Sequence, residues 1–424
     1  MDAIYLDNNA TTKPLPEVAA AVAEAHESLW ANPSSVHRFG QTVRQRMELA
    51  RASVAKLIGG RPRELVFTSG GTEANNLAIG GTLGEDLGGA VLITDKAEHA
   101  AVREVAEAVE KRGGEVRWLP MLEGGVVDVR ALGELLEEAV GMRAEARTPE
   151  GGSGVGVVLL SVMWANNETG VIQPIREIAE AVARVRDAAR QAGNPVRVVF
   201  HTDATQAVGK LPVDVAEAGV DLLTLAGHKF HGPKGAGALW MRRGVRVRPQ
   251  QLGGPQETER RGGTENVPGL LGLGVAAEAA AAFVPDADAV GRVRALRDRF
   301  ESQVIDGLGG MRAEAGTPGV VVNSGGSLRL WNTTNLGFRG LEAEAILLGL
   351  SERGVCASAG AACSSGSLEP SPVLRAMGVD EAVAHGSVRF SLSRFTSEEE
   401  IESAVSVVVE VVGRLSRVMP MGGG

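Results

Sequence analysis

Leu225-Ala226-Gly227-His228-Lys229-Phe230-His231-Gly232-Pro233-Lys234-Gly235 is the stretch from which the fold can be read. The run 220–225 leading into it is apolar apart from Asp221 and Thr224, the pattern of a strand buried in a parallel sheet. Lys229 therefore falls just past a strand end, beside His228 and ahead of a turn rich in Gly and Pro. An amine there is placed to form a Schiff base with a carbonyl cofactor such as pyridoxal phosphate, although an arbitrary loop lysine would be a surface residue. A second strand end upstream weighs in favour of the cofactor. The run 196–200 leads into His201-Thr202-Asp203-Ala204-Thr205-Gln206, and a carboxylate held at Asp203 can pair with a protonated pyridine nitrogen.

The 424 residues allow a large core and, as a prior, two or three domains. A net charge of −9, from 43 basic and 52 acidic residues with no long basic block, speaks against nucleic-acid binding. The two cysteines, Cys356 and Cys363, are too few for a disulfide framework and suit a reducing compartment. Met1-Asp2-Ala3-Ile4-Tyr5 lacks the basic start and apolar segment of a signal peptide, and no apolar run is long enough to span a bilayer. A soluble, cytoplasmic protein without a membrane partner is expected.

Strand and helix patterns alternate through the first half of the chain. Helices are expected over 16–30 and 41–58, and between them His37 is either a functional residue or the cap of the second helix. A strand over 64–68 turns through Ser69-Gly70-Gly71-Thr72-Glu73-Ala74-Asn75-Asn76 directly into a helix. Glycines there let the backbone approach closely and the first helical amides can receive a phosphate; an ordinary glycine turn with a cap has the same letters. Strands over 91–94, 116–119 and 155–162 alternate with helices to about 112, over 129–140 and over 175–192, which gives an α/β fold with a mainly parallel sheet covered by helices. The segment 141–154, polar and rich in Gly, Arg and Glu, reads as an exposed loop without a function. From Val267 onward two long helices and then short strands indicate a smaller α+β domain. The expected division is a large domain over 14–262 and a small domain built from 1–13 and 263–424.

Taken together, His201-Thr202-Asp203-Ala204-Thr205-Gln206, Gly227-His228-Lys229 and Gly232-Pro233-Lys234-Gly235 resemble the cysteine desulfurases, class V aminotransferases of the fold-type-I pyridoxal-phosphate architecture. The likeness runs from Tyr5-Leu6-Asp7-Asn8-Asn9-Ala10-Thr11-Thr12 to Arg389-Phe390-Ser391-Leu392-Ser393-Arg394-Phe395, nearly the whole chain. The resemblance implies that Gly71 and Thr72 hold the cofactor phosphate, that His99 stacks on the ring and takes part in proton transfer, and that Asn167 contacts the ring oxygen and the substrate. A polar residue at a helix start is the alternative for His99. Gln206 and His228 join Asp203 and Lys229 among the implied cofactor contacts. The segment Arg260-Arg261-Gly262-Gly263-Thr264-Glu265-Asn266 resembles one that crosses a homodimer interface, where Thr264 would reach the partner's phosphate. Arg389, at a strand start, is chemically suited to bind an amino acid's carboxylate bidentately, and the matching family residue does so. Three departures stand out: Pro255 where the family has Gly, Ala226 where many members have a phosphate-binding Ser, and Trp331 where Pro is more usual.

Cys356 reads as a buried, inert strand thiol. Cys363 lies in the run Ala357-Ser358-Ala359-Gly360-Ala361-Ala362-Cys363-Ser364-Ser365-Gly366-Ser367, whose small side chains have little to pack, within an expected nucleophile loop of about 355–370. The run matches long-loop desulfurases, in which this Cys takes sulfur from the substrate. The implied reaction converts L-cysteine to L-alanine and leaves a persulfide on Cys363, with Lys229 and His99 as the other catalytic groups. A sulfur acceptor or iron–sulfur cluster scaffold protein would then be the partner. No resident metal is expected, with Cys363 at most a transient cluster ligand. A selenocysteine lyase or an aminotransferase is the alternative within the fold, and an assembly scaffold the alternative outside it; a transaminase needs no nucleophilic loop cysteine.

Overall fold

Apolar runs bracketed by helices assemble into a seven-stranded sheet. Its strands are β2 (Leu65–Thr68), β3 (Ala90–Asp95), β4 (Glu115–Leu119), β5 (Val157–Ser161), β6 (Arg197–Asp203), β7 (Leu222–Ala226) and β8 (Gly237–Met241), in the order β2-β8-β7-β6-β5-β3-β4. Only β8 runs antiparallel to its neighbours. The structure, a computed structural model, describes residues 3–142, 155–309, 319–324, 326–359 and 369–418. Most of the 141–154 segment lies outside them.

The strands lack polar alternation because both faces of the sheet are covered. On β5, Val158 and Leu160 join one apolar cluster while Val157 and Leu159 join another; on β7, Leu223 and Leu225 oppose Leu222 in the same way. Helices α1 (Pro16–Ser28), α2 (Arg38–Leu57), α3 (Gly71–Leu83), α4 (Ala100–Lys111), α5 (Val129–Ala139) and α6 (Ile175–Gln191) supply the covering layers. Helix α2 begins three residues before its expected start because His37 caps it, Nδ1 accepting from Gly40 N at 3.1 Å.

A separate cluster around Phe300, Phe338, Phe390 and Val408 forms the second core. It holds the antiparallel strands β9 (Val320–Val322), β10 (Thr333–Phe338) and β12 (Ser387–Ser391), the pair β1 (Ile4–Tyr5) and β11 (Val355–Cys356), and the helices Ala287–Gly307 and Glu398–Val418. The helix Val267–Phe283 falls on the other side of the expected division at 263. Its Leu270, Leu273 and Ala277 lie in the first core with residues of α1 and α2. Gly274 makes the approach possible, since a Cβ there would meet the Ala50 Cα at 2.7 Å. We therefore propose that the domains divide after this helix.

Three consecutive non-glycine residues, Glu257, Thr258 and Glu259, have positive φ of 47°, 58° and 61°. This conformation costs L-residues roughly 1–2 kcal/mol each, so something must hold it. The holder is the Glu257 carboxylate, which accepts from Arg51 Nη2 at 2.7 Å, Arg51 Nη1 at 2.8 Å and Phe67 N at 2.9 Å. Glu259 is exposed, and no such anchor is found for it among the described residues. Glu259→Gly is therefore expected to raise stability in urea denaturation by about 0.5–1 kcal/mol, strain relief outweighing glycine's entropy in the unfolded chain.

Candidate active site

Adjacent parallel strands carry the two chemical groups to one place. Strand β6 ends at Asp203, β7 ends at Ala226, and the following turn Gly227–Lys229 presents the lysine. Asp203 and Lys229 both line a cavity of about 210 Å3 together with Gly71, Thr72, His99, Asn167, Gln206 and His228. This is the crevice at the carboxyl ends of the strands where open α/β sheets bind ligands.

Asp203 is fixed at both oxygens: Asn75 Nδ2 donates to Oδ2 at 2.7 Å and Thr205 N to Oδ1 at 2.9 Å. Lys229 Nζ donates to the main-chain oxygens of Asn9 at 2.7 Å and Ala10 at 2.9 Å. His99 caps a helix and also lines the cavity. Its Nδ1 accepts from Ala101 N at 3.1 Å as the cap of α4, which leaves the ring proton of the neutral tautomer on Nε2 while the ring lines the cavity. Burial lowers the His99 pKa against the attraction of Asp203, and nearby Lys229 lowers it further. Burial, with Lys229 next, takes His228 down to about 4.

The residues present fit pyridoxal phosphate. Gly70, at φ 154°, turns the chain into α3, and the first helical residues, Gly71 and Thr72, line the cavity. A Cβ on Gly71 would stand 3.1 Å from Thr205 Oγ1, a buried hydroxyl with no hydrogen-bond partner among the described residues. A tightly packed glycine at a strand-to-helix turn, with an unsatisfied hydroxyl beside it, is suited to an anion.

The class-V aminotransferase family model matches residues 4–148 and 154–403. The chain belongs to the class-V aminotransferase family. Among class-V relatives, a protein named cysteine desulfurase 2 from Trichormus variabilis is 44% identical over 99% of this chain and 96% of its own. The protein named cysteine desulfurase NifS from Azotobacter vinelandii is 42% identical, over 99% and 95% respectively. A solved NifS-like protein superposes with a TM-score of 0.81 at 30% identity, covering 97% of this chain and all (100%) of that one. The mainly parallel sheet flanked by helices is the fold-type-I architecture that the resemblance implied.

Not every expected residue of this class-V protein reaches the cavity. Arg389 is only 2% exposed and does not line it; Nη2 donates to Asp7 Oδ1 at 2.6 Å and Nη1 to Asn167 O at 3.0 Å. Its Nε has no partner among the described residues. Thr264 is exposed, outside the cavity within one chain. Cys356 sits on β11 but is half-buried rather than fully buried. Cys363 lies outside the described residues.

Asn75 and Thr205 stood inside motifs read from the sequence, yet their roles needed the fold. Glu98 gave no signal at all. It is fully buried, and neither carboxyl oxygen has a hydrogen-bond partner of normal geometry among the described residues. Burial, reinforced by Asp95 and Asp203, pushes its pKa well above the ordinary carboxyl value, while burial raises Asp95 to about 7. Asp95 accepts a hydrogen bond from Ala97 N at 2.8 Å. A raised folded-state pKa gives stability that is present at low pH and lost as pH rises through that pKa. Glu98→Gln is expected to change stability at pH 4, where the unfolded carboxyl is still largely protonated, by less than about 1 kcal/mol and to flatten the loss as pH rises from there, as read by denaturant titration across pH.

Proposed function

We propose that this class-V family member is a pyridoxal-phosphate-dependent L-cysteine desulfurase. It forms L-alanine and a persulfide on Cys363, and passes the sulfur to an acceptor protein for iron–sulfur cluster assembly. The observation that carries the reading is the convergence of Lys229, Asp203 and His99 on one cavity at the strand ends. When bound, pyridoxal phosphate supplies a carbonyl for the lysine amine and a protonated ring that draws electrons from the substrate's Cα.

The chain's own groups divide the work. The first amides of α3, Thr72 and the free hydroxyl of Thr205 would receive the phosphate, and Ala226 contributes no hydroxyl there. The carboxylate of Asp203, held by Asn75 and Thr205 N, would keep the ring nitrogen protonated. Lys229 would carry the cofactor and, once displaced by the substrate's amine, move the proton at Cα. Neutral His99, tied at Nδ1, offers its Nε2 proton from a fixed ring. Arg389 would meet the substrate carboxylate through the N–H groups not spent on Asp7 and Asn167. The Cys363 thiolate attacks the substrate sulfur: an S–S bond forms, the Cβ–S bond breaks with its electron pair left on carbon, and protonation of that carbon gives alanine. We further propose a homodimer in which Thr264 completes the partner's phosphate site, and a cytoplasmic setting, where thiols stay reduced.

Incubation of the loaded protein with L-cysteine and a reductant should yield alanine and sulfide together in equal amounts. Pyruvate or an exchanged amino group instead would turn the reading toward another class-V activity. Borohydride reduction and peptide mapping should place the cofactor on Lys229; a label on Lys234, exposed in the following turn, would overturn the assignment.

A further inference from the structure

A carboxylate sits in the first turn of the helix that would receive an anion. Glu73, the third residue of α3, accepts at Oε2 from Ser69 N at 2.8 Å and so ties the start of the helix to the residue ahead of Gly70. Its neighbours Gly71 and Thr72 line the cavity. The other partner of Glu73 is Arg261, whose Nε donates to Oε1 at 2.8 Å and Nη2 to Oε2 at 3.3 Å. The two side chains are 23% and 20% exposed, so solvent screens this pair less than one on the open surface. Burial would raise the Glu73 pKa, yet the bonds from Arg261 and Ser69 hold it below the usual carboxylate range, and Glu73 is an anion at neutral pH. Arg261 comes from an anchored backbone. Gly262 N donates to Gln251 O at 2.9 Å, and Glu257 is held by Arg51 and by Phe67 N. With Glu257 engaged by Arg51, Glu73 is the carboxylate that takes Arg261 as ion-pair partner among the described residues.

We propose that Arg261 is a positioning residue for the cofactor phosphate: acting through Glu73, it cancels the acidic charge in the first turn of α3 and lets the glycine turn accept an anion. A phosphate carries about −1.5 to −2 charge at neutral pH, and an unpaired carboxylate at the same helix start would repel it. A carboxylate already gripped by both arms of a guanidinium presents little net charge to a ligand. Glu73 can then order the turn through Ser69 N without opposing the phosphate. The inference rests on the Gly71 and Thr72 end of the cavity receiving that phosphate.

The test is equilibrium dialysis of the full-length protein, freed of cofactor, against 4'-deoxypyridoxine 5'-phosphate, a ring phosphate that cannot form a Schiff base. Arg261→Ala should raise its Kd about tenfold or more at low salt, because Glu73 is left charged and unpaired. Glu73→Gln should leave the Kd unchanged or lower it, since the amide oxygen can still accept from Ser69 N and Arg261 keeps its charge. The double variant should return to within about threefold of the parent. A pair that served only as a structural brace would behave otherwise, each single change breaking it and weakening binding alike. Weaker binding by Glu73→Gln, parental binding by Arg261→Ala, or no recovery in the double variant would overturn the proposal. The Glu73→Gln measurement stands even if Arg261→Ala does not fold. Inorganic phosphate at matched ionic strength should compete with the probe in the parent; failure to compete would instead sink the phosphate reading of the turn itself, so the two failures are distinguishable.

Discussion

Lys229→Ala should abolish desulfuration while leaving the fold intact. The variant loses both the amine that carries the cofactor and the base that moves the Cα proton. General acid–base groups of this kind contribute about 10^2–10^4-fold, and loss of the covalent link adds to that. The structural cost is small because of what the amine touches. Two acceptors of Nζ are main-chain oxygens, and Asn9 O retains Gln206 Nε2 as a donor. A loss of about 1–2 kcal/mol is expected, well within the stability of a domain. Alanine formation should fall to background with a cooperative melt preserved, and no borohydride-stable cofactor should remain on the chain. Turnover within tenfold of the parent would remove Lys229 from the chemistry.

Cys363→Ser should separate cofactor chemistry from sulfur transfer. Lys229, Asp203, His99 and Gly71 line one cavity and none of their proposed roles needs a thiol, so cofactor loading and the absorbance response to L-cysteine should survive. Attack on the substrate sulfur needs a thiolate, and a serine hydroxyl is hardly ionised at neutral pH. Alanine production should therefore drop by at least about 10^2-fold, and no persulfide should be trapped by alkylation. Cys356→Ser is the matched control. Cys356 lies on β11, paired with Tyr5, and its replacement should cost packing rather than activity. Parental turnover by Cys363→Ser would bring the lyase or aminotransferase reading to the front.

Asp203 and Lys229 were legible because each closes an apolar run and their residue types are what the chemistry needs. The turn at Gly70 and Gly71 was legible for a similar reason, since a strand passing straight into a helix through glycine leaves few other structures. The half-burial of Cys356 and the packing of the helix Val267–Phe283 were not. That helix is apolar all round, so periodicity could not say which core it joins, and the glycine fitted against Ala50 decided it. Arg389 read as a ready carboxylate ligand, yet an aspartate 382 positions away in the chain engages part of its guanidinium.

What the sequence determined by itself is the set of local facts: strand ends, a phosphate-shaped turn, a lysine, a carboxylate and a thiol in a run of small residues. These follow from backbone preferences and side-chain chemistry within a few residues of one another. What only the tertiary structure decided is which groups share an environment. Asn9 meets Lys210 across 201 positions and Lys229 across 220, and Glu98 is sealed where water cannot solvate its charge. Proton affinity depends on burial and on neighbouring charge, and no local pattern along a chain encodes either.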